Sequence, residues 1–228
     1  MKKELISAAI LALGIALAGF FVSSAIRHNA DKDRAVTVKG LSTRDVRADH
    51  VVWPLSFSVQ GNDLPTMYRQ LAEVSSTLQN FLVQKGFDAS DFANGNISVD
   101  DNWSGYYNHR PEFHYTLRSS LIVSTDRVEL VIQNNGCQSE LLERGIIINS
   151  SEWNLDYQYN GLPELKPEMI EEATKNARAV AQKFADDAAC RLGTIRRASQ
   201  GQFSIEDDPY QPWVKHVRVV TTVDYILN

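Results

Sequence analysis

The sequence predicts an α+β protein: antiparallel β-sheet packed by two long helices and one short helix, behind an N-terminal hydrophobic helix. Three observations carry the prediction. Apolar and polar residues alternate in several runs, the period of a half-buried strand. Two longer segments instead repeat apolar residues every three or four positions, the period of a helix with one buried face. The elements follow as strand, strand, helix, strand, strand, helix, strand, helix, strand, strand. That order sets neighbouring strands antiparallel instead of winding them around crossover helices.

The first segment is the most distinctive in composition. From Leu5 to Ile26 run 22 residues without a charge, "LISAAILALGIALAGFFVSSAI", behind Lys2 and Lys3. A membrane span takes about 17–25 apolar residues and a secretory signal core about 7–15. The length favours a membrane anchor, while Ser23-Ser24-Ala25 offers a small-residue cleavage site and keeps a removable signal peptide as the alternative. With no polar face to show water, residues 5–26 are expected to project from the folded body. Residues 27–34, "RHNADKDR", read as a polar tether, and residues 35–228 as the folded domain.

Within that domain "AVTVKG" is a short strand ending at Gly40. Val51, Trp53, Leu55, Phe57 and Val59 line one face of the next strand, with Pro54 opposite, the mark of an edge or a bulge. Asp63-Leu64-Pro65 supplies a capping carboxylate and an early proline. Leu64, Met67, Leu71, Val74, Leu78 and Phe81 form the buried stripe of the helix that follows, and Gly86 ends it. A short strand near 97–100 leads through the loop "DNWSGYYNHRPE" to a strand carrying Phe113, Tyr115, Leu117, Ser119, Leu121 and Val123. "STDRVELVIQNNG" gives the short helix, with Ser124 or Thr125 as its cap, and a further strand carries Trp153, Leu155, Tyr157 and Tyr159. Pro163 and Pro167 introduce the second long helix, which Gly193 breaks. Its inner face is Ile170, Ala173, Ala177, Val180 and Phe184, mostly small side chains that let a helix lie close on a sheet. The strand "TIRRASQGQFSI", the loop "EDDPYQPW" and a strand alternating Val217, Val219, Thr221, Val223 and Tyr225 complete the chain.

Charge and motifs narrow the function classes. A net charge of -5 with no basic run argues against a nucleic-acid partner. Cys137 and Cys190 can pair in an oxidising compartment or stand as two free thiols, and their spacing does not decide. His109, Glu112 and His114 lie near Asp100 and Asp101 without metal-ligand spacing, and His50 and His216 fall on the polar phase of strands. Glu206, Asp207 and Asp208 lack the glycine-spaced oxygen pattern of a calcium loop. There is no G-x-S-x-G, and Ser119-Ser120 and Ser150-Ser151 have no His–Asp partner nearby in sequence. No catalytic, metal or cofactor residue is assigned, and a non-enzymatic protein is expected. The candidate contact residues are aromatic: Trp103, Tyr106 and Tyr107 on a glycine-containing tip, and Tyr210 and Trp213 in the later loop. The competing reading folds the Trp103 ring back on the sheet edge.

Several of these stretches together resemble the SIMPL domain family, found largely in bacterial cell-envelope proteins. "VTVKG" followed by "ADHVVWPLSFSV" is similar to the family's opening strand pair, with Asp49 at its usual acidic position. "FHYTLRSSLIVST" resembles its central strand and "LLERGI" its glycine-containing turn. "ATKNARAVAQKFADDAACRLGTIRRAS" resembles its most specific feature, an Ala-Arg-rich helix closed by Leu-Gly. Ser42 departs from the pattern, since many members keep a second glycine there. The resemblance implies an exported or membrane-tethered envelope protein, some relatives being oligomeric and some linked to oxidative-stress protection, with no shared catalytic set. The expectation is an inner-membrane protein with its domain in the periplasm, or a soluble periplasmic one after cleavage. It would act as a homo-oligomer or on a protein partner, in oxidative or envelope stress tolerance. The alternative is an enzyme or small-molecule-binding protein with an unrecognised site.

Overall fold

The computed structural model describes residues 34–104, 111–149 and 155–228, together with Gly14, Leu17, Gly19 and Phe20. Those four apart, the expected apolar helix over 5–26 lies outside the described residues, as do His109, Tyr106, Tyr107, Ser150, Ser151 and Trp153. Among the described residues no helix is long and apolar enough to cross a membrane. They form an α+β protein with two antiparallel sheets. In chain order the strands are β1 (Ala35–Arg47), β2 (His50–Gly61), β3 (Phe92–Asn94), β4 (Ser98–Asp101), β5 (Tyr115–Thr125), β6 (Asp156–Gln158), β7 (Leu192–Gln200), β8 (Ser204–Asp207) and β9 (Val214–Leu227). The helices are α1 (Leu64–Gln84), α2 (Val128–Asn134), α3 (Gln138–Glu143) and α4 (Leu162–Asp187). The chain divides into two compact units, one of Met1–Arg44, Glu164–Ile205 and Val217–Asn228, the other of Asp45–Pro163 and Glu206–His216.

The second of these units holds the sheet β3-β5-β2-β6, with β4 also on β5. Strands β2 and β5 pair antiparallel from Val51↔Thr125 to Gly61↔Tyr115. Val51, Trp53, Leu55 and Phe57 meet Leu117, Leu121 and Val123 in one core, onto which α1 lays Met67, Leu71, Leu78, Phe81 and Leu82. Each such buried side chain contributes about 1.5–3 kcal/mol. Leu64, at the head of the expected stripe, is instead exposed, being the first residue after the cap. Asp63 does cap, its carboxylate accepting the N–H of Thr66 at 3.1 Å. Phe113 also stays outside, because the N–H of His114 goes to Asn62 Oδ1 (2.7 Å) and the ladder begins at Tyr115. Pro54 lies past the end of the three-residue pairing of β2 with β6, so its missing N–H costs that ladder nothing. The sequence "SELLERG" conceals α3, six residues and too short to show a period. Neither Ser124 nor Thr125 caps α2: its N-cap is Arg127, without a side-chain cap bond, and Thr125 Oγ1 only accepts the N–H of Arg127 ahead of the helix.

The first unit lays α4 on the sheet β1-β9-β7, with β8 on β9. Strand β1 does not stop at Gly40 but runs to Arg47. The β9 face expected to be buried, Val217, Val219, Thr221, Val223 and Tyr225, is buried. The expected face of α4 needs correction. Met169, Ala173, Ala177, Ala181 and Ala185 point inward, while Val180 and Phe184 are 41% and 55% exposed. The reason is the closeness of the contact: a Cβ on Gly40 would stand 1.8 Å from the Ala173 carbonyl oxygen and 2.5 Å from the Ala177 nitrogen. Backbone lies on backbone there, and a strict four-residue step of alanines is the pattern that permits it. Helix and strand run in opposite directions. Arg44 meets Glu168 and Glu172, Ser42 Oγ donates to Glu172 (2.8 Å), Gly40 abuts Ala173 and Ala177, and Val38 clusters with Ala177 and Ala181. Ser42 is thus a buried strand residue whose hydroxyl ties the sheet to α4.

Three helices end in one way. After α1 the N–H of Gly86 reaches Val83 O and that of Phe87 reaches Leu82 O; after α3 Gly145 reaches Leu142 O and Ile146 reaches Leu141 O. Both glycines are left-handed, with φ of 101° and 76°. After α4 the same pair of bonds runs from Ala189 to Asp186 O and from Cys190 to Ala185 O, and the left-handed residue is Ala189, φ 53°. Gly193 is therefore not the breaker. It lies in β7, where a Cβ would meet Ile226 O at 2.8 Å. Cys137 and Cys190 are both free thiols, the first buried, which pushes its pKa up.

Two stability measurements check these contacts. Gly40→Ala should cost on the order of 3 kcal/mol or more in thermal or denaturant unfolding, because the obstructing atoms are backbone. Gly136→Ala, with nothing within 4 Å, serves as the tolerated control. Ala189→Gly should raise stability by roughly 0.5–1 kcal/mol, relief of the left-handed alanine exceeding the added unfolded-state entropy.

Candidate functional site

The most organised polar surface is in the unit formed by Asp45–Pro163 and Glu206–His216. Alternation along β9 buries Lys215 and turns His216 outward, as the strand period requires. Lys215 Nζ reaches Asp207. His216 Nδ1 lies 2.6 Å from Asp45 Oδ1 at the end of β1, and its Nε2 lies 3.4 Å from Asp208 Oδ2. Asp208 also accepts the backbone N–H groups of Tyr210 and Gln211, both at 2.8 Å. Backbone bonds from Asp208 N to Val214 O and from Val214 N to Gln211 O close the turn. Its product is an aromatic ring held out into water: Tyr210 is 89% exposed on a turn whose backbone is tied at both ends.

Charge follows geometry here. Hydrogen bonding of the ring to Asp45, and after it to Asp208, holds the His216 imidazole above its ordinary value. The N–H groups of Tyr210 and Gln211, more than His216, hold the Asp208 carboxyl below its own. Asp207 and Asp208, candidates for a calcium ligand set, are thus committed to Lys215 and to the turn. The sequence places His216 only on the polar phase of its strand, and no spacing connects it to Asp45, 171 positions away.

Of the other aromatic candidates, Trp103 and Trp213 lie among the described residues, half-buried and packed against neighbouring rings. Trp103 stacks on His114 with ring centres 3.9 Å apart, His114 stacks on Tyr115 at 3.8 Å, and Trp103 Nε1 donates to Pro111 O. His114 Nε2 also meets Asp101 at 3.2 Å. Trp213 packs edge-on against Tyr157, and its carbonyl accepts the N–H of Ala48. Trp213 thus forms the base of the turn and Tyr210 its tip. Among the described residues no three His, Cys, Asp or Glu side chains gather as a metal site.

One arrangement is invisible to spacing. His50 Nδ1 stands 2.7 Å from Asp126 Oδ1 and its Nε2 stands 3.0 Å from Ser124 Oγ, the connectivity of a nucleophile, base and orienting acid. Asp126 is 86% exposed, and neither Ser124 nor His50 lines the neighbouring cleft of about 600 Å³. That cleft is walled by Arg47, Asp126, Arg127 and Glu129. Those charges pair among themselves and with neighbours, Arg47 with Glu129, Arg127 with Asp88 and Asp91, Asp126 with His50. A second cleft, about 360 Å³ beside Tyr68, Ser75, Gln79 and Asn94, carries no charged side chain on its walls. Asp49, the acidic position of the resemblance, serves the fold. Its carboxylate accepts the N–H groups of Asn160 and Gly161 immediately before α4.

An α+β chain with an alanine-seamed helix, two glycine-closed helix ends and a pinned aromatic loop is the class of protein defined by these features. Residues 36–223 match SIMPL, described as a protein of unknown function (DUF541), and the chain belongs to that family. No curated protein matches the chain.

The His216 clamp has a pH signature. Because its folded pKa is raised, its contribution is complete below about 6.5 and is lost as pH rises through the raised value. An NMR titration of the His216 ring should give an apparent pKa above that of an unstructured histidine. Asp45→Asn should bring it back down. An unchanged midpoint in that variant would show that the carboxylate is not a partner in solution.

Proposed function

We propose that this is a cell-envelope protein, held in the inner membrane by residues 5–26 with the rest of the chain in the periplasm, and that it works by assembling with further copies of itself. The observation that carries this reading is Tyr210, an aromatic side chain fully offered to solvent on a turn that has already lost its conformational freedom. Rigid exposed aromatics are the anchors around which interfaces concentrate their energy, because little entropy remains to be lost on binding. Strand β7 adds a second surface: it ends its sheet, and every residue from 194 to 200 is exposed. Open strand edges recruit partner strands. The apolar run and the SIMPL membership support the envelope setting, and the assembled form is the one to which we attach a stress-tolerance role. If the signal is cleaved, the same turn serves a soluble periplasmic assembly.

A second reading, hydrolytic catalysis, has the Ser124–His50–Asp126 chain in its favour. The exposure of Asp126 and the position of Ser124 outside the neighbouring cleft weigh against it, since an activated serine needs a site that excludes water and holds substrate.

Native mass measurement of the full chain, in detergent and after release from it, tests the leading reading. Wild type should be oligomeric, and Tyr210→Ala should weaken assembly on the order of tenfold or more with unchanged circular dichroism. A wild type that is monomeric under both conditions overturns it.

A further inference from the structure

The direction of α4 along β1 fixes which end of that unit the chain's N-terminal segment leaves from. Contacts step from Arg44 with Glu168, through Gly40 with Ala173 and Ala177, to Val38 with Ala181, so Arg34 falls beside the C-terminal turns of α4. The same end is closed by backbone bonds from Leu227 to Arg34 and between Arg191 and Asn228. Phe184 is one turn from the end of the helix, its carbonyl accepting the N–H of Ala188. Phe184 and Val180 share a flank of α4, four residues apart, and are 55% and 41% exposed. The sequence between this end and the apolar run is short: seven residues, 27–33. Fully extended they reach about 25 Å.

We propose that the Val180–Phe184 flank of α4 is a membrane-contact surface, resting on the periplasmic leaflet of the bilayer that holds residues 5–26. The inference rests on the membrane-tether reading and adds the face that the tether turns toward lipid. A tether of that reach keeps the end of the unit near the headgroups. An apolar pair on a helix flank at that end finds there the amphipathic interface that it lacks in water. The neighbouring charges are mixed: Lys183, Arg34 and Arg191 against Asp186 and Asp187, with Asp186 already accepting from Gln182 (2.8 Å). Contact is therefore driven by apolar area, and zwitterionic lipid suffices, the basic stems reaching outward to phosphates.

The test uses the full chain in phosphatidylcholine nanodiscs, with Cys190→Ser removing the more accessible thiol. Phe184→Cys and, separately, Glu164→Cys carry a nitroxide; Glu164 lies roughly 30 Å away along the helix. At 184 collision with oxygen should exceed collision with a water-soluble nickel chelate, and at 164 the order should reverse. Val180→Cys should follow 184. If the protein does not stay with the nanodisc, the tether reading fails and this surface with it. If it stays and position 184 reads as aqueous as 164, only the surface is overturned. Shielding of 184 from both reagents would mean that protein, not lipid, covers it, and overturns the proposal equally.

Discussion

The first unit depends on a backbone-to-backbone contact. Where α4 crosses β1, Gly40 leaves no room even for a methyl group against the Ala173 carbonyl. Every inward residue of the helix from there to its end must then be small, and Ala173, Ala177, Ala181 and Ala185 are. Such a seam buries little apolar area per residue, so it needs help from polar ties. Ser42 to Glu172, Arg44 to Glu168 and Glu172, and Asn176 to the Leu41 carbonyl supply them along the same strand. These are partly exposed and individually modest. Their value is registry: they fix which alanine faces Gly40.

Helix termination follows from what comes next in the chain. At Gly86 and Gly145 the turn throws Phe87 and Ile146 back onto the core, and both are buried. A left-handed residue followed by an apolar one is the way to reverse a chain and still satisfy the last carbonyls. The end of α4 uses the same geometry with alanine in the left-handed position, where a side chain costs about 1–2 kcal/mol. The following residue there, Cys190, is only partly buried and returns less to the core.

Much of this is legible in the sequence wherever a period has room to show. The β2 and β9 faces and the α1 stripe after its first residue stand out because each spans four or more repeats of one pattern. The α4 face misleads because hydrophobicity is the wrong guide to it. Val180 and Phe184 outrank alanine on any such scale, yet the close approach at Gly40 selects for size. Helix α3 and strand β3 are shorter than the patterns that would reveal them. The site is least legible. Ser42 and Glu172 are 130 positions apart, Asp49 and Asn160 are 111, Asp45 and His216 are 171, and only the folded chain brings them together.

That long-range character separates two things at the Tyr210 turn. The carboxylate of Asp208 is held first by the N–H groups of Tyr210 and Gln211, its near neighbours in the chain, and only afterwards by His216. Losing the proton on His216 therefore leaves the local turn intact. What weakens is the tie from His216 to Asp45, the main cause of the raised histidine pKa and a direct link between the turn's neighbourhood and the end of β1. A local bond sets the shape of the turn, and a distant one sets its anchorage. The turn therefore keeps its shape when His216 loses its proton, while its tie to the end of β1 weakens.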